Sequence, residues 1–229
     1  MISIGIIPAR GGSKSIPLKN IKLLNGKPLI EHTIEAAIKS QVLDRVIVST
    51  DHARIAEVCE KYSEVDVFFR PDSLSVDTAR TEPVLLHVCD ELERREGLIP
   101  DFVLTLEPTS PMRRAETIRK CLDIIIRPGV DSVLSVAETR EVYGEIKNGT
   151  YQHLIPNQPR RRQDRSPIYR ESSTIYCTTL KILRETNSVI GGKMSPLIVG
   201  KKEAIDINDI YDFMLAEVIL RDKEEGVYG

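Results

Sequence analysis

The strongest constraint on the fold is the alternation of short apolar runs with segments of helical periodicity. The first run, residues 2–7, is β-branched and nearly all apolar, which is typical of a strand buried on both faces of a parallel sheet. Pro28 then opens a segment with apolar residues at positions 30, 34, 37 and 38, which is helical spacing. The alternation predicts strands over 46–49, 65–69, 102–106, 132–136 and 196–199, and helices over 53–62, 118–125, 180–185 and 209–221, with another capped by Thr81. Strands separated by helices indicate βαβ units, so we predict a doubly wound α/β core with a mostly parallel sheet.

Composition restricts the class of protein. The chain has 229 residues, a length that fits one α/β domain without a disulfide or metal to stabilise it. Its 32 basic and 34 acidic residues give a net charge of −2, which argues against a surface devoted to nucleic acid. No apolar run approaches the roughly 20 residues of a membrane span, and no basic region precedes the apolar N-terminus. Four widely spaced cysteines are typical of buried apolar positions, so we expect a cytoplasmic protein.

The composition of the sequence differs between residues 138 and 179 from that of the rest of the chain. This segment is polar and rich in arginine, has a turn signal at Asn148-Gly149, and contains only short strand candidates at 142–146 and 174–177. We therefore predict an inserted β-rich arm over 138–179, with the core formed by 1–137 and 180–229.

The loop after the first strand carries the clearest chemical signal. In open α/β sheets ligands bind beyond the carboxyl ends of the strands, and this loop lies there. Gly11-Gly12 permits close approach of the backbone to a phosphate, and Arg10, Lys14 and Lys19 add positive charge. The loop matches neither the Walker pattern nor GxGxxG. It therefore predicts an anion site of another kind, the alternative being a solvated turn with ordinary surface lysines.

Three further segments follow predicted strands. Residues 49–51 (Ser-Thr-Asp) are typical of a cap for the next helix. Residues 107–113 contain two prolines, which stiffen the loop and suit either a binding wall or a plain connector. The cluster Asp206, Asn208 and Asp209 has oxygen atoms suited to Mg²⁺, although Asn208 or Asp209 could equally be the N-cap of the last helix.

An arginine run lies within the predicted arm. Its members, Arg160, Arg161, Arg162, Arg165 and Arg170, could bind an acidic sugar or a triphosphate, or form a solvated or subunit-facing surface. No aromatic residues alternate with them to stack bases, so we expect no nucleic-acid partner. None of the four histidines has metal-ligand spacing.

Taken together, these segments resemble the signature of acylneuraminate cytidylyltransferases, the CMP-sialic acid synthetases and their bacterial relatives that act on other 2-keto sugar acids. The resemblance is carried by Ala9, Arg10, Ser13, Lys14, Pro17, Lys19 and Asn20, and by residues 48–51, 70–71, 77–79, 107–113, 162–163 and 205–207. It implies a Rossmann-like nucleotidyltransferase core with helices on both faces of the sheet, and a dimerisation arm. The implied reaction joins CMP from CTP to the anomeric hydroxyl of a sialic-acid-like sugar acid and releases pyrophosphate.

The resemblance also implies roles for individual residues. The nucleotide would be held by Arg10, Gly11, Ser13, Lys14, Lys19, Asn20, Arg70 and Thr81. The catalytic residues would be Lys19, which faces the α-phosphate, with Arg10 and Asp206. The sugar would meet Glu107, Arg162, Gln163 and Tyr176, and the cofactor Mg²⁺ would be held by Asp206 and Asn208. A homodimer and a place in surface-polysaccharide biosynthesis are implied as well.

The sequence departs from the family pattern at three places. Glu107 stands where the family usually has glutamine, Ser172-Ser173 replaces an Asn-Gly pair, and Asn208 replaces the second metal-site aspartate. A carboxylate at 107 would repel the acidic sugar unless an arginine such as Arg162 or Arg165 neutralises it. These changes keep two alternatives open: nucleotidyl transfer to another acceptor, such as an eight-carbon sugar acid or a sugar phosphate, and a non-catalytic nucleotide-sugar binding protein.

Overall fold

The computed structural model describes residues 1–13, 15–76 and 78–225. The strands in chain order are β1 (Ser3–Pro8), β2 (Leu23–Leu24), β3 (Lys27–Pro28), β4 (Arg45–Thr50), β5 (Val65–Phe69), β6 (Phe102–Thr105), β7 (Ser132–Thr139), β8 (Gly144–Lys147), β9 (Thr150–His153), β10 (Ile168–Thr179) and β11 (Met194–Val199). The helices are α1 (Leu29–Ser40), α2 (Ala53–Cys59), α3 (Thr81–Glu96), α4 (Ala115–Ile125), α5 (Leu180–Thr186) and α6 (Ile210–Glu225).

Seven strands form one sheet in the order β11-β7-β10-β6-β1-β4-β5. Strand β10 pairs antiparallel with β6 and β7, and the other pairings in this sheet are parallel. The parallel strands therefore end at one edge, which we call the carboxyl edge. The prediction of a mostly parallel sheet is confirmed.

The core has two layers because successive strand residues point to opposite faces of the sheet. Ile4 and Ile6 pack with Leu85 of α3 and Leu183 of α5. The opposite face buries Ile7 and neighbouring strand residues against apolar side chains of α1, α2 and α4, namely Ile34, Ile55, Cys59, Ile118 and Cys121. Helices thus cover both faces, as predicted, and all four cysteines are buried and free.

Several helix boundaries differ from the predictions: α4 begins at Ala115 and not at residue 118, and α6 ends at Glu225 and not at residue 221. Helix α2 ends at Cys59 and not at residue 62, because the backbone turns after it to lead into β5. Thr81 does not cap α3. It is the first helical residue, the N-cap position is Arg80, and no side chain caps this helix.

The segment predicted as an arm consists of two parts. The hairpin β8–β9 lies outside the seven-stranded sheet and is exposed at every position, with its turn at Asn148 (φ 50°) and Gly149 (φ 75°). Strand β10, by contrast, lies in the middle of the sheet between β6 and β7. The described part of the chain thus passes from the core into a hairpin and returns as a central strand.

A third apolar cluster joins residues 16–29 to the segment 207–216. Helix α6 packs Phe213 and Ala216 with Leu24 and Leu29, next to the small hairpin β2–β3 that the sequence analysis did not predict. The signal for that hairpin is Asn25-Gly26, a pair that favours tight turns. This packing brings residues 205–209 against the loop after β1. Within the described residues, no helix is long and apolar enough to cross a membrane.

Candidate active site

A cleft opens at the carboxyl edge, between the loops that follow β1, β5 and β6. Its empty space is about 680 Å³. It is lined by Pro8, Arg10, Gly12, Ser13, Lys19, Asn20, Arg70, Ala79, Arg80, Thr81, Val84, Glu107, Pro108 and Thr109. The cleft lies where open parallel sheets bind ligands, since the strands that flank it end at this edge.

The sequence-predicted nucleotide residues largely converge here. Arg10, Ser13, Lys19, Asn20, Arg70 and Thr81 all line the cleft. Lys14 lies outside the described residues. Gly11 does not line the cleft: it is buried, and a Cβ built on it would come within 2.6 Å of the His52 ring. Gly12 is the glycine that faces the cleft, and it has open space around its Cα.

The residues at the end of β4 hold the loop after β1. The backbone N–H of Gly11 donates to Asp51 Oδ1 at 2.7 Å, and that of Ala9 donates to the Ser49 carbonyl at 2.9 Å. The N-cap residue of α2 is His52, and no side chain caps that helix. The interpretation of residues 49–51 as a helix cap is therefore wrong, because Asp51 binds the neighbouring loop.

Cationic side chains dominate the cleft. Lys19 donates from Nζ to the Ile207 carbonyl at 2.7 Å, and burial lowers its pKa, while Asp206 and Glu107 act in the opposite direction. Arg70 is buried and donates to the Ser49 carbonyl. Burial lowers the pKa of Arg70 to about 10, so the guanidinium stays charged at neutral pH.

The amino end of α3 adds a second source of positive potential. Because no side chain caps this 16-residue helix, its first N–H groups are open to an anion, and the helix dipole favours negative charge there. Arg80, which precedes the helix, lines the cleft and pairs with Glu82 at 2.9 Å. Sequence reasoning missed Arg80. The available signal was a basic residue directly before a predicted helix.

Glu107 is the acidic side chain that lines the cleft. Burial raises the pKa of its carboxyl, the Asp206 charge raises it further, and Arg113 and Lys19 oppose the rise. The arginine beside it is thus the buried Arg113, which donates from Nη2 to the Glu107 carbonyl at 2.8 Å. The expectation that Arg162 or Arg165 compensates Glu107 does not hold within this chain.

The two arginines named in that expectation are engaged elsewhere. Arg165 donates to the Arg140 carbonyl at 2.9 Å and to the Arg160 carbonyl at 2.6 Å. Arg162 forms an exposed ion pair with Glu141 at 3.0 Å. Both contacts lie within the predicted arm and hold its irregular loops together.

The acidic cluster at 206–209 is divided between two tasks. Asp209 Oδ1 accepts the N–H groups of Tyr211 at 2.8 Å and Asp212 at 3.0 Å, so Asp209 is the N-cap of α6. Asp206 Oδ2 accepts from Asn208 Nδ2 at 3.0 Å, whereas its buried Oδ1 has no hydrogen-bond partner among the described atoms.

An unpartnered buried carboxylate oxygen next to a cationic cleft fits a hard cation. Among the described residues no group of three or more acidic, histidine or cysteine side chains could hold a metal. Mg²⁺ does not require one, because it usually keeps waters and takes one or two protein carboxylates with phosphate oxygens. Asp206 therefore fits as its protein ligand, with the Asn208 side chain adjacent.

The predicted sugar residues are not all brought together. Burial raises the pKa of Tyr176, and its hydroxyl donates to Glu171 Oε1 at 2.8 Å, which raises the pKa further. The charges of Glu107 and Asp206 act in the same direction. Arg162 and Gln163 line a separate cavity with Glu138, Thr139, Arg140 and Lys201. Ser172 is buried in an irregular stretch of β10, where its hydroxyl bonds that of Thr174 at 2.7 Å.

The chain is similar to known proteins in both sequence and fold. Residues 4–175 match the model of the cytidylyltransferase family. The chain is 33% identical to a CMP-N,N'-diacetyllegionaminic acid synthase of Legionella pneumophila over 98% of each chain. It is 29% identical to a pseudaminic acid cytidylyltransferase of Campylobacter jejuni over the full length of both. A solved structure of a CMP-2-keto-3-deoxy-manno-octonic acid synthetase in complex with CTP shares the fold with a TM-score of 0.73 at 15% identity, covering 97% of this chain and 100% of that one.

A cationic cleft at the carboxyl edge of a Rossmann-like sheet is the arrangement of a nucleotidyltransferase. Since the family model covers most of the chain, this chain belongs to the cytidylyltransferase family, and a relative that is 33% identical spans 98% of it. The predicted family, fold class and enzyme class are therefore confirmed.

Proposed function

We propose that this protein transfers CMP from CTP to the anomeric hydroxyl of a nine-carbon 2-keto sugar acid and releases pyrophosphate. One observation carries the proposal: Arg10, Lys19, Arg70 and Arg80 line a single cleft together with the uncapped amino end of α3. Four cationic side chains and a helix dipole suit a triphosphate, which carries several negative charges. The named activities of the full-length relatives support the same chemistry.

The chain's residues contribute mainly by positioning and by neutralising charge. Displacement at the α-phosphorus gains little from covalent chemistry, so groups that hold the reactants in line and stabilise developing negative charge dominate its catalysis. Lys19 is oriented by its hydrogen bond to the Ile207 carbonyl and supplies such a charge. Asn20 is held by the Arg10 carbonyl at 2.9 Å and forms the adjoining wall.

Asp206 and Asn208 would hold Mg²⁺ in this proposal. When bound, the ion would neutralise phosphate charge and bring the triphosphate and the acceptor oxygen together. The chain supports this role with the unpartnered Asp206 Oδ1, whose position is set by the packing of α6 and by the hydrogen bond from the Ile207 N–H to the Thr109 carbonyl at 2.8 Å.

The proposed acceptor is a sialic-acid-like sugar such as a legionaminic or pseudaminic acid. The relatives named for these two sugars align over nearly the entire chain, which supports this class. Glu107 keeps the eight-carbon acceptor as the second candidate, because a carboxylate beside the acceptor site changes which sugar substituents can bind there.

We further propose a homodimer in which the hairpin β8–β9 packs against a second copy. Its exposed side chains include Ile146, Tyr151 and, just after it, Leu154, which are 76%, 54% and 61% exposed. Contiguous exposed apolar side chains of this kind mark interaction surfaces. Sedimentation of the purified protein tests the dimer, and a monomer at micromolar concentration would refute it.

Pyrophosphate release with CTP and Mg²⁺ tests the function directly. Acceptors to compare are legionaminic, pseudaminic and N-acetylneuraminic acids, the eight-carbon acid and a sugar phosphate. We expect turnover only with CTP and highest with a nine-carbon acid. Preference for the eight-carbon acid would favour the second candidate. Nucleotide binding without turnover on any acceptor would favour a non-catalytic relative.

A further inference from the structure

Three consecutive residues of the loop after β1 are each anchored by one hydrogen bond. The Ala9 N–H donates to the Ser49 carbonyl at 2.9 Å, and the Arg10 carbonyl accepts from Asn20 Nδ2 at 2.9 Å. The Gly11 N–H donates to Asp51 Oδ1 at 2.7 Å. Two of these anchors come from the end of β4, so the loop's path depends on that strand.

The anchor at Asp51 is unusual because it is a carboxylate beside a site for an anion. Its negative charge works against the binding of phosphate, so its presence there calls for a compensating benefit. A backbone N–H bonded to a carboxylate is held more strongly than one bonded to a neutral oxygen. Asp51 therefore gives this loop a firmer attachment than a serine or threonine at the same position would.

The surroundings of Gly11 show what the attachment achieves. Gly11 is pressed against His52, where a Cβ would come within 2.6 Å of the ring, and its N–H is turned toward Asp51 and not toward the cleft. The next residue, Gly12, has open space and lines the cleft together with Arg10 and Ser13. The bend at Gly11 thus sets the direction in which the flanking residues point.

Asp51 also acts on a residue that lines the cleft. Its charge acts on Arg70, whose guanidinium donates to the same Ser49 carbonyl that accepts the Ala9 N–H. Residues 49–51 therefore bind both the loop after β1 and Arg70, and so fix the position of one relative to the other.

We propose that Asp51 is a positioning residue that holds residues 9–13, through the Gly11 N–H, in the conformation that presents Arg10 and Ser13 to the triphosphate. This inference rests on the proposed function. Because Asp51 acts on the loop and not on the reacting atoms, its removal should weaken CTP binding far more than it slows turnover.

The chain offers a matched control at the opposite end of the same strand pair. Asp44 Oδ2 accepts the Ser3 N–H at 2.7 Å, so Asp44 ties the start of β1 as Asp51 ties the loop after it. The two carboxylates make the same type of bond at the same length, and only Asp51 is at the carboxyl edge. The variants to compare are Asp51→Ala, Asp51→Asn and Asp44→Ala.

The experiment measures the KM for CTP and kcat under saturating acceptor, the melting temperature, and hydrogen exchange at residues 9–13 without nucleotide. We expect Asp51→Ala to raise the KM for CTP about tenfold, the effect of losing one charge-assisted hydrogen bond, with kcat within about threefold. Exchange of the Gly11 amide should be faster. Asp51→Asn keeps an oxygen acceptor and should restore KM to within about threefold of wild type. Asp44→Ala should lower the melting temperature and leave KM unchanged.

Two results would overturn the proposal. One is a KM for CTP in Asp51→Ala no higher than in Asp44→Ala. The other is an Asp51→Asn variant with a KM as high as that of Asp51→Ala while its Gly11 amide exchanges at the wild-type rate, since the loss of affinity would then follow the charge and not the anchoring of the loop. If the wild-type protein does not turn over CTP at all, the proposed function fails separately. In that case unchanged exchange at Gly11 in Asp51→Ala would still refute the anchoring role.

Discussion

Glu107 and Glu203 are two carboxylates enclosed at the same edge of the sheet, and their surroundings differ. Glu203 is 4% exposed and accepts the Arg114 N–H at 3.1 Å, the Arg114 Nε–H at 3.1 Å and the Thr117 hydroxyl. It therefore satisfies the start of α4. No described residue donates a hydrogen bond to the Glu107 carboxylate, which faces Asp206, Lys19 and Arg113 at longer range.

The difference separates a region built for stability from one built for binding. Both oxygens of the Glu203 carboxylate accept hydrogen bonds, which is how buried charge is tolerated in a stable fold. Glu107 lines the cleft and burial raises the pKa of its carboxyl, and beside the cleft Asp206 Oδ1 has no hydrogen-bond partner among the described atoms. Incompletely satisfied polar groups of this kind concentrate where a ligand completes them.

The largest expected effect is on the cleft side. We expect Lys19→Ala to lower kcat at least about 100-fold, because it removes a charge that stabilises the developing negative charge on the phosphate. Pyrophosphate release under saturating CTP measures it. Lys22→Ala removes an exposed lysine from the same segment and should leave kcat unchanged. Turnover near wild type in Lys19→Ala would remove Lys19 from the catalytic role.

The next effect is on the stability side. We expect Glu203→Ala to reduce the free energy of unfolding by about 2–3 kcal/mol, because the donors at the start of α4 lose their acceptor. In a domain of this size the melting temperature should fall by about 5–10 °C. Glu116→Ala removes an exposed carboxylate from the same helix turn and is the control. A melting temperature of Glu203→Ala equal to that control would show that the contrast with Glu107 is unfounded.

Glu107→Gln should raise the melting temperature, whereas Glu203→Ala lowers it. A carboxyl whose pKa is raised in the folded state contributes stability below its unfolded pKa, and that stability is lost as the pH rises through the folded pKa. The charged form at pH 7 is therefore unfavourable, and the amide should raise the melting temperature by about 2–4 °C there. The gain should disappear below about pH 4, where both states are protonated. A gain that is independent of pH would attribute the effect to shape and not to charge.

The smallest effect is expected at Arg162, which lies neither around Glu203 nor in the cleft. Its ion pair with Glu141 is exposed, so Arg162→Ala should change the stability by less than about 0.5 kcal/mol. The KM for CTP should stay within about twofold of wild type, because Arg162 does not line the cleft. The KM for the sugar acid, measured alongside, is the test of its predicted contact with the acceptor. A raised KM for CTP would show that the two cavities are connected.

Particular residues show which features local sequence patterns could predict. Asn148-Gly149 forms the predicted hairpin turn, because both residues adopt positive φ at little cost. The apolar face of α1 follows from spacing alone, and Ile30, Ile34 and Ala37 are buried as predicted. The location of β10 was not predictable in this way. Its sequence is that of a half-polar strand, and its central place depends on pairing with β6 and β7, which are far away in the chain.

The same distinction holds in the candidate site. The family resemblance assigned roles to Lys19 and Asp206. The two segments are brought together because α6 packs against β2–β3, and Lys19 then donates to the Ile207 carbonyl, 188 positions away in the chain. Gly12, and not Gly11, lines the cleft, and the Gly11 N–H donates to Asp51. Both features require the end of β4 to lie beside the loop after β1.

By itself, the sequence determined that strands alternate with helices, that the sheet is mostly parallel, and that the glycine-containing basic loop follows its first strand. Those features arise from periodicity and backbone preference, which act between near neighbours in the chain. Only the tertiary structure decided that Arg113 lies beside Glu107, that Asp209 caps a helix while the Asp206 charge acts on Lys19, and that Asp51 accepts the Gly11 N–H. Contacts between distant segments depend on how complete faces pack together, and no local pattern specifies them.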